Sequence, residues 1–105
     1  GGVDPSNARR TTVGDVQFHS AAEAREYNRL KQLEDAGKIA DLRIQPEFSC
    51  EINGSLICKY RADFSFIRNG KRVVVDVKGM ETAVFKIKRK LVEAMHGVEI
   101  KLIPA

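Results

Sequence analysis

The sequence predicts one α/β domain: a helix, a three-stranded antiparallel meander, a second helix and a final strand, forming a mixed sheet flanked by helices. Three observations predict it. Residues 20–36 and 82–96 repeat apolar side chains at helical spacing. Two Asn-Gly dipeptides, at 53–54 and 69–70, separate stretches of strand character. A short apolar run, Val98 to Ile103, follows the second helical stretch. The length, 105 residues, suits one domain, and 43% apolar composition is ordinary for a globular chain.

The elements follow in chain order. Residues 1–11 are rich in Gly, Pro, Ser and Asn, carry Arg9 and Arg10, and read as a mobile basic arm before a domain over 12–105. Val13 to Phe18 suits a short strand or a turn. Ser20 and Glu23 make a capping box at the start of the first helix, and Gly37 is its stop. Its inward stripe is Ala22, Tyr27, Leu30 and Leu33, and Glu23 and Glu26 fall inside that stripe. The first strand begins at Leu42, with Pro46 marking an edge or a bulge. Leu56 to Ile67 and Lys71 to Val77 are the next two strands. The second helix runs from Thr82 to His96, before Gly97, with an expected buried stripe of Val84, Ile87, Leu91, Ala94 and Met95. Lys86, Arg89, Lys90 and Glu93 then face water, and Lys88 sits at the stripe's edge.

Bulk properties bound the function classes. A net charge of +4 and a pI of ≈ 9.3 suit a polyanionic partner without demonstrating one. No apolar run approaches a membrane span and no signal peptide is visible, so no membrane partner is expected. The two cysteines, Cys50 and Cys58, have no zinc-site spacing and are expected to be free thiols in a reducing compartment. With a two-residue turn at Asn53-Gly54, Cys50 faces Ile57 and Cys58 points to the other side, so no disulfide is expected.

The chemistry-bearing residues come from the second hairpin. With Asn69-Gly70 as a two-residue loop, Phe66 faces Val73, Phe64 faces Val75 and Asp63 faces Asp76. Alternation then places Phe64, Phe66, Val73, Val75 and Val77 on one face, with Asp63, Asp76 and Lys78 on the other. Like charges directly opposite destabilise a strand pair. A shared divalent cation removes that penalty, since Mg²⁺ takes carboxylate, water and phosphate oxygens. Lys78 on the same side supplies a cation for a phosphate or for developing negative charge. The competing reading is a solvated sheet face on which Lys78 pairs with one Asp; spacing alone does not separate the two.

Asp63, then Asp76-Val77-Lys78, after a helix carrying Glu23, resembles the PD-(D/E)XK nuclease superfamily, and the element order resembles its restriction-endonuclease-like core. The segment from Phe18 to Arg25, with Gln45-Pro46, Ala62-Asp63-Phe64 and Asp76 to Met80, is similar to a group of small phage-encoded proteins of that superfamily. The resemblance covers residues 13–103. It implies a Mg²⁺-dependent endodeoxyribonuclease, with Mn²⁺ as substitute. Asp63 and Asp76 would bind the metal, together with the Val77 carbonyl, and Lys78 would be the catalytic lysine. Glu23 would approach the metal or its waters, although its capping role accounts for it as well. Ala62 stands where the superfamily name has Pro.

Gln45 is a candidate for contacting the scissile phosphate, against a plain solvent-facing strand residue. Lys88 is a candidate phosphate contact, against a lysine whose stem merely covers Val92. Arg61, Lys86, Arg89 and Lys90, with the arm's Arg9 and Arg10, are candidate DNA-backbone contacts, although charge runs are commonly just solvated faces. His19 and His96 have no partner spacing and receive no role. No separate base-reading element is recognisable, which favours a branched or otherwise structured DNA and a homodimer that addresses two strands. A phage or prophage origin would place the protein in the bacterial cytoplasm. Two other function classes compete: a non-catalytic DNA-binding protein on the same fold, and an interaction module of a phage assembly.

Overall fold

Two Asn-Gly turns organise the sheet. Asn53 and Asn69 take φ +50° and +52°, and Gly54 and Gly70 take +82° and +76°. Positive φ at both central residues gives the twist that suits a two-residue hairpin, and Asn and Gly tolerate it best. The computed structural model describes residues 11–13 and 16–105. Its element order is β1 (Thr11–Val13), β2 (Val16–Phe18), α1 (Ala21–Asp35), β3 (Ala40–Ile44), β4 (Glu47–Ile52), β5 (Ser55–Arg61), β6 (Phe64–Arg68), β7 (Lys71–Lys78), α2 (Ala83–His96) and β8 (Glu99–Pro104).

The main sheet has the order β3-β6-β7-β8. β3, β6 and β7 run antiparallel, and β8 joins β7 in parallel after the α2 crossover. This is an α/β fold with a mixed sheet flanked by two helices. The β6–β7 register is the expected one: Arg68 faces Lys71, Phe66 faces Val73 and Phe64 faces Val75.

The expected meander has a different shape in its first two strands. Each breaks into two, at Gln45-Pro46 and at Ala62-Asp63, so that β4 and β5 form a separate two-stranded ribbon. Pro46 cannot donate to a ladder, and Gln45 adopts φ +52°. The strands stay tied across the break, because the Gln45 N–H donates to the Asp63 carbonyl (2.8 Å) and the Ala62 N–H to the Pro46 carbonyl (3.0 Å). Of the expected strand or turn over Val13–Phe18, the described residues show β2 paired antiparallel with β1. The proposed arm lies outside the described residues up to residue 10, and Thr11 already belongs to β1.

Alternation along β6 and β7 divides the core between two faces. Phe64, Phe66, Val73 and Val75 pack with Ala24, Leu30 and Phe18 on the α1 side. Val74, Ile100, Phe85 and Val92 pack with Cys50, Tyr60 and Ala62 on the α2 side. Ser20 caps α1 by accepting the Glu23 N–H at 3.1 Å. Thr82 caps α2 by accepting the Phe85 N–H at 3.1 Å. Among the described residues, no helix is long and apolar enough to cross a membrane.

The facing of α2 corrects the expected stripe. Phe85 and Val92 are its buried residues, whereas Val84, Ile87 and Met95 are 62%, 67% and 42% exposed. Ala94 is exposed and Leu91 half-buried. Apolar content selected the wrong side because the inward face includes two cations. The Lys88 ammonium reaches the Lys59 carbonyl (3.4 Å) and an Arg89 guanidinium nitrogen donates to the Ile100 carbonyl (2.9 Å). Their aliphatic stems contribute to the apolar contact.

The orientation of α2 is testable by urea unfolding. Phe85→Ala is expected to cost about 3–5 kcal/mol as a buried aromatic truncation. Ile87→Ala is expected to stay within about 0.5 kcal/mol, as for an open surface position. The reverse ranking would mean that α2 is rotated.

Candidate active site

β6 starts where the sheet breaks, while β7 runs on to Lys78 paired with β8. Asp63 occupies the bend just before β6, one residue beyond the β6–β7 ladder. Its N–H donates to the Val75 carbonyl at 3.2 Å, and its Oδ2 accepts the Val77 N–H at 2.6 Å. The bend sets the Asp63 carboxyl against the Val77 N–H, one residue past Asp76, and the neighbouring Asp76 makes it harder to ionise.

Asp76 is the most enclosed member. It is 3% exposed, on the sheet face covered by α2 together with Val74 and Ile100. That burial excludes the reading in which the carboxylate sits on a solvated sheet face. The Tyr60 hydroxyl donates to Asp76 Oδ2 at 2.5 Å. Lys78 Nζ lies 3.7 Å from the same oxygen and over the Phe85 ring, 4.6 Å from its centroid. Two residues on along β7, Lys78 thus shares the face of Asp76 and stays a third exposed. It lines a groove of ≈ 180 Å³ with Gly79, Met80, Glu81, Leu102, Ile103 and Pro104, so the site opens at the ends of β7 and β8.

The electrostatics follow from this crowding. Burial, then the neighbouring Asp76, lifts the Asp63 carboxyl from 3.8 to about 7, with a further contribution from Glu23 and an opposing one from the Val77 N–H. Burial and the Asp76 carboxylate push the Tyr60 phenol well above its usual value, so its hydroxyl remains a proton donor. Two acidic groups that resist joint ionisation fit a divalent cation, whose charge removes the repulsion and whose preferred ligands are oxygens. Among the described residues, no group of three His, Cys, Asp or Glu side chains is placed to hold a metal. The fit therefore rests on two carboxylates, with water, backbone or substrate oxygens making up the remainder.

The other sequence-predicted residues are distributed unevenly. Glu23 is half-buried at the start of α1; its N–H meets Ser20, and its carboxylate accepts the His19 N–H at 3.3 Å. It therefore caps the helix while its charge still reaches Asp63. Glu26, also inward, is buried and paired with Arg29 at 2.6 Å, which accounts for it structurally. Gln45 is exposed in the sheet break rather than within a strand, and its backbone is bonded to Asp63. Lys88 is committed to the Lys59 carbonyl.

Arg89 was expected in solvent but faces the sheet instead, bonded to the Ile100 carbonyl, with its Nε buried and lacking a hydrogen-bond partner. Arg61 is exposed and lies 3.6 Å from Glu47, and Lys86 and Lys90 are exposed on α2. His96 is bonded to the Ser49 carbonyl at 2.8 Å.

Tyr60 was missed in the sequence. Its position relative to Asp76 depends on the break at Ala62-Asp63, which directs the end of β5 over β7. A tyrosine on a half-buried strand near two acids was the available signal, since a buried phenol needs a hydrogen-bond partner.

Residues 4–103 match the family described as "Protein of unknown function (DUF1064)", and the chain belongs to that family. A search of curated proteins finds no match to it.

The raised Asp63 pKa carries a definite sign. The folded protein holds this proton more firmly than the unfolded chain. The associated stability is complete below about pH 4 and is lost as pH rises through about 7. In metal-free buffer, the urea midpoint is therefore expected to fall between pH 4 and 7, and Asp63→Asn to flatten that fall. An unchanged pH slope in the variant would contradict the Asp63–Asp76 coupling.

Proposed function

We propose that this member of the family is a divalent-metal-dependent endodeoxyribonuclease of the PD-(D/E)XK type. The observation that carries the proposal is the buried Asp76 carboxylate shared between Asp63, Tyr60 and Lys78 at the open end of β7. Burying one carboxylate and half-burying a second beside it is costly, and a solvated structural role does not account for it. Asp63 and Asp76 would hold Mg²⁺ or Mn²⁺, with the Val77 carbonyl as a further oxygen donor. When bound, the ion would supply Lewis-acid polarisation of the phosphate and acidify a water.

The remaining work falls to the chain's own groups. Asp63, whose carboxyl is lifted to about 7, would hold the ion as its carboxylate, so binding would compete with its proton. Tyr60 restrains Asp76 by donating to Oδ2, leaving the carboxylate's other oxygen available. Lys78, two residues beyond Asp76 on the same face, presents an ammonium to the phosphate and stabilises charge developing on it. Glu23 adds negative potential from the start of α1. Gln45, exposed beside Asp63, lies where a substrate backbone entering the site would pass. Of the proposed DNA contacts, Lys86 and Lys90 are the exposed pair on α2, while Arg89 is withdrawn into the sheet contact. A branched DNA with two strands to cut would call for a homodimer.

The experiment is cleavage of branched, nicked, single-stranded and duplex DNA with Mg²⁺ or Mn²⁺. Wild-type protein is expected to cut at least one of these substrates. Asp76→Asn and Lys78→Ala are each expected to lower the rate by roughly 10²–10³-fold, the usual loss on removing one stabiliser of developing charge. Equal cleavage by all three proteins would remove the assignment. Metal binding has a readout independent of cleavage: Mg²⁺ should raise the melting temperature more at pH 8 than at pH 5.5, because protons compete for Asp63, and Asp63→Asn should abolish the increase.

A further inference from the structure

The β4–β5 ribbon contains a group that phosphodiester chemistry leaves unused. Cys50 and Cys58 are the chain's two cysteines, and both are free. An unbroken ladder from the Asn53-Gly54 turn would put Cys50 opposite Ile57 and turn Cys58 away. The ladder is not unbroken. Ile52 faces Ser55 and Glu51 faces Leu56, but the register then shifts by one and Cys50 faces Cys58. Ile57 is the extra residue of a bulge, and it is 55% exposed. The bulge reverses the expected facing and brings both thiols to the inner side, in the cluster with Tyr60, Phe85 and Val92.

The geometry of such a pair suits closure. Directly opposed residues of antiparallel strands have Cα atoms ~4.5–5.5 Å apart, inside the ~4.4–6.8 Å range that a disulfide spans. A bulge also twists its strand locally, leaving room to adjust the Cβ separation. The two thiols differ in access. Cys50 is fully buried, whereas Cys58 is half-buried and within reach of a small solute. Lys88 is bonded to the carbonyl of Lys59, the residue after Cys58, and its charge favours a thiolate at Cys50 while burial and Cys58 oppose it.

We propose that Cys50 and Cys58 form a redox-active dithiol that a hydroperoxide converts to an intrachain disulfide. The Cys58 sulfur attacks the terminal peroxide oxygen; the O–O bond breaks, an alcohol or water leaves, and Cys58 becomes a sulfenic acid. The Cys50 sulfur then attacks the Cys58 sulfur. The S–S bond forms, the S–O bond breaks, and the hydroxyl departs as water with the Cys50 proton. In sum, two thiols and one hydroperoxide give a disulfide, an alcohol (water if the oxidant is hydrogen peroxide) and water. The two sulfurs supply the two electrons that reduce the peroxide. The closed bond would lock the ribbon that presents Tyr60, two residues after Cys58, to Asp76. The closure itself is independent of the nuclease assignment.

The test treats the full-length reduced protein with hydrogen peroxide, alkylates it under denaturing conditions and measures the intact mass without reductant. Closure is expected to lower the unalkylated mass by about 2 Da, remove both alkylation sites and leave a monomer on a non-reducing gel. Dithiothreitol should restore both sites. Cys58→Ser should leave the Cys50 thiol alkylatable and Cys50→Ala should stop at the Cys58 sulfenic acid, neither losing 2 Da, and either variant alone suffices if the other does not fold. The proposal fails if both wild-type thiols survive oxidant, if the product links two chains, or if Cys58 proceeds to sulfinic or sulfonic acid with Cys50 still free.

Discussion

Two carboxyl groups, Asp76 buried beneath α2 and Asp63 half-buried beside it, are brought together at the sheet break, and much of the surrounding structure deals with that contact. Like charges at adjacent strand positions repel, and enclosure strengthens the repulsion by excluding water. The protein answers it locally. The Val77 N–H and the Tyr60 hydroxyl each donate to one of the carboxyls, and the Lys78 ammonium stands 3.7 Å from Asp76. Asp63 remains hard to ionise, with its carboxyl lifted to about 7. A small domain has little stability to spare, so the local donors and the Lys78 ammonium are what make this contact tolerable.

The break at Gln45-Pro46 and Ala62-Asp63 links the site to the fold. Proline interrupts one strand, and the partner strand bends opposite it. The bend delivers Asp63 to the end of β6 and redirects β5, so that Tyr60 meets Asp76 from the ribbon side. A straight meander would leave Tyr60 far along its strand from the carboxylates. The same ribbon then covers part of α2, with Tyr60 near Phe85 and Phe48 near His96. One irregularity therefore serves both the chemistry and the packing.

Helix α2 illustrates how polar groups can decide the facing of an element. Its most regular apolar series, Val84, Ile87, Leu91 and Met95, lies largely outward, while Lys88 and Arg89 turn towards the protein. Their stems pack against the sheet and ribbon, and their charged ends meet backbone carbonyls. Phe85 and Val92 occupy the centre of the buried face. The outcome leaves an apolar surface open on one side of α2 and an arginine partly withdrawn on the other.

Short-range signals were legible in the sequence because they act over a few residues. Ser20, Gly37, Thr82 and Gly97 bounded the helices, and Asn69-Gly70 set a register that holds as far as Phe64 and Val75, one residue short of the expected Asp63–Asp76 pair, with Lys78 on the face of Asp76. The resemblance supplied the chemical roles expected of those residues. Tertiary structure decided what depends on distant segments: the break that brings Tyr60 to Asp76, the rotation of α2 and the extent to which Asp76 is buried. It also decided the facing of Cys58, because a one-residue bulge past the Asn53-Gly54 turn reverses every later side chain on the strand. Turns and caps are local and are written residue by residue. Bulges and helix rotation depend on which distant segments pack against them, and that is a property of the assembled chain.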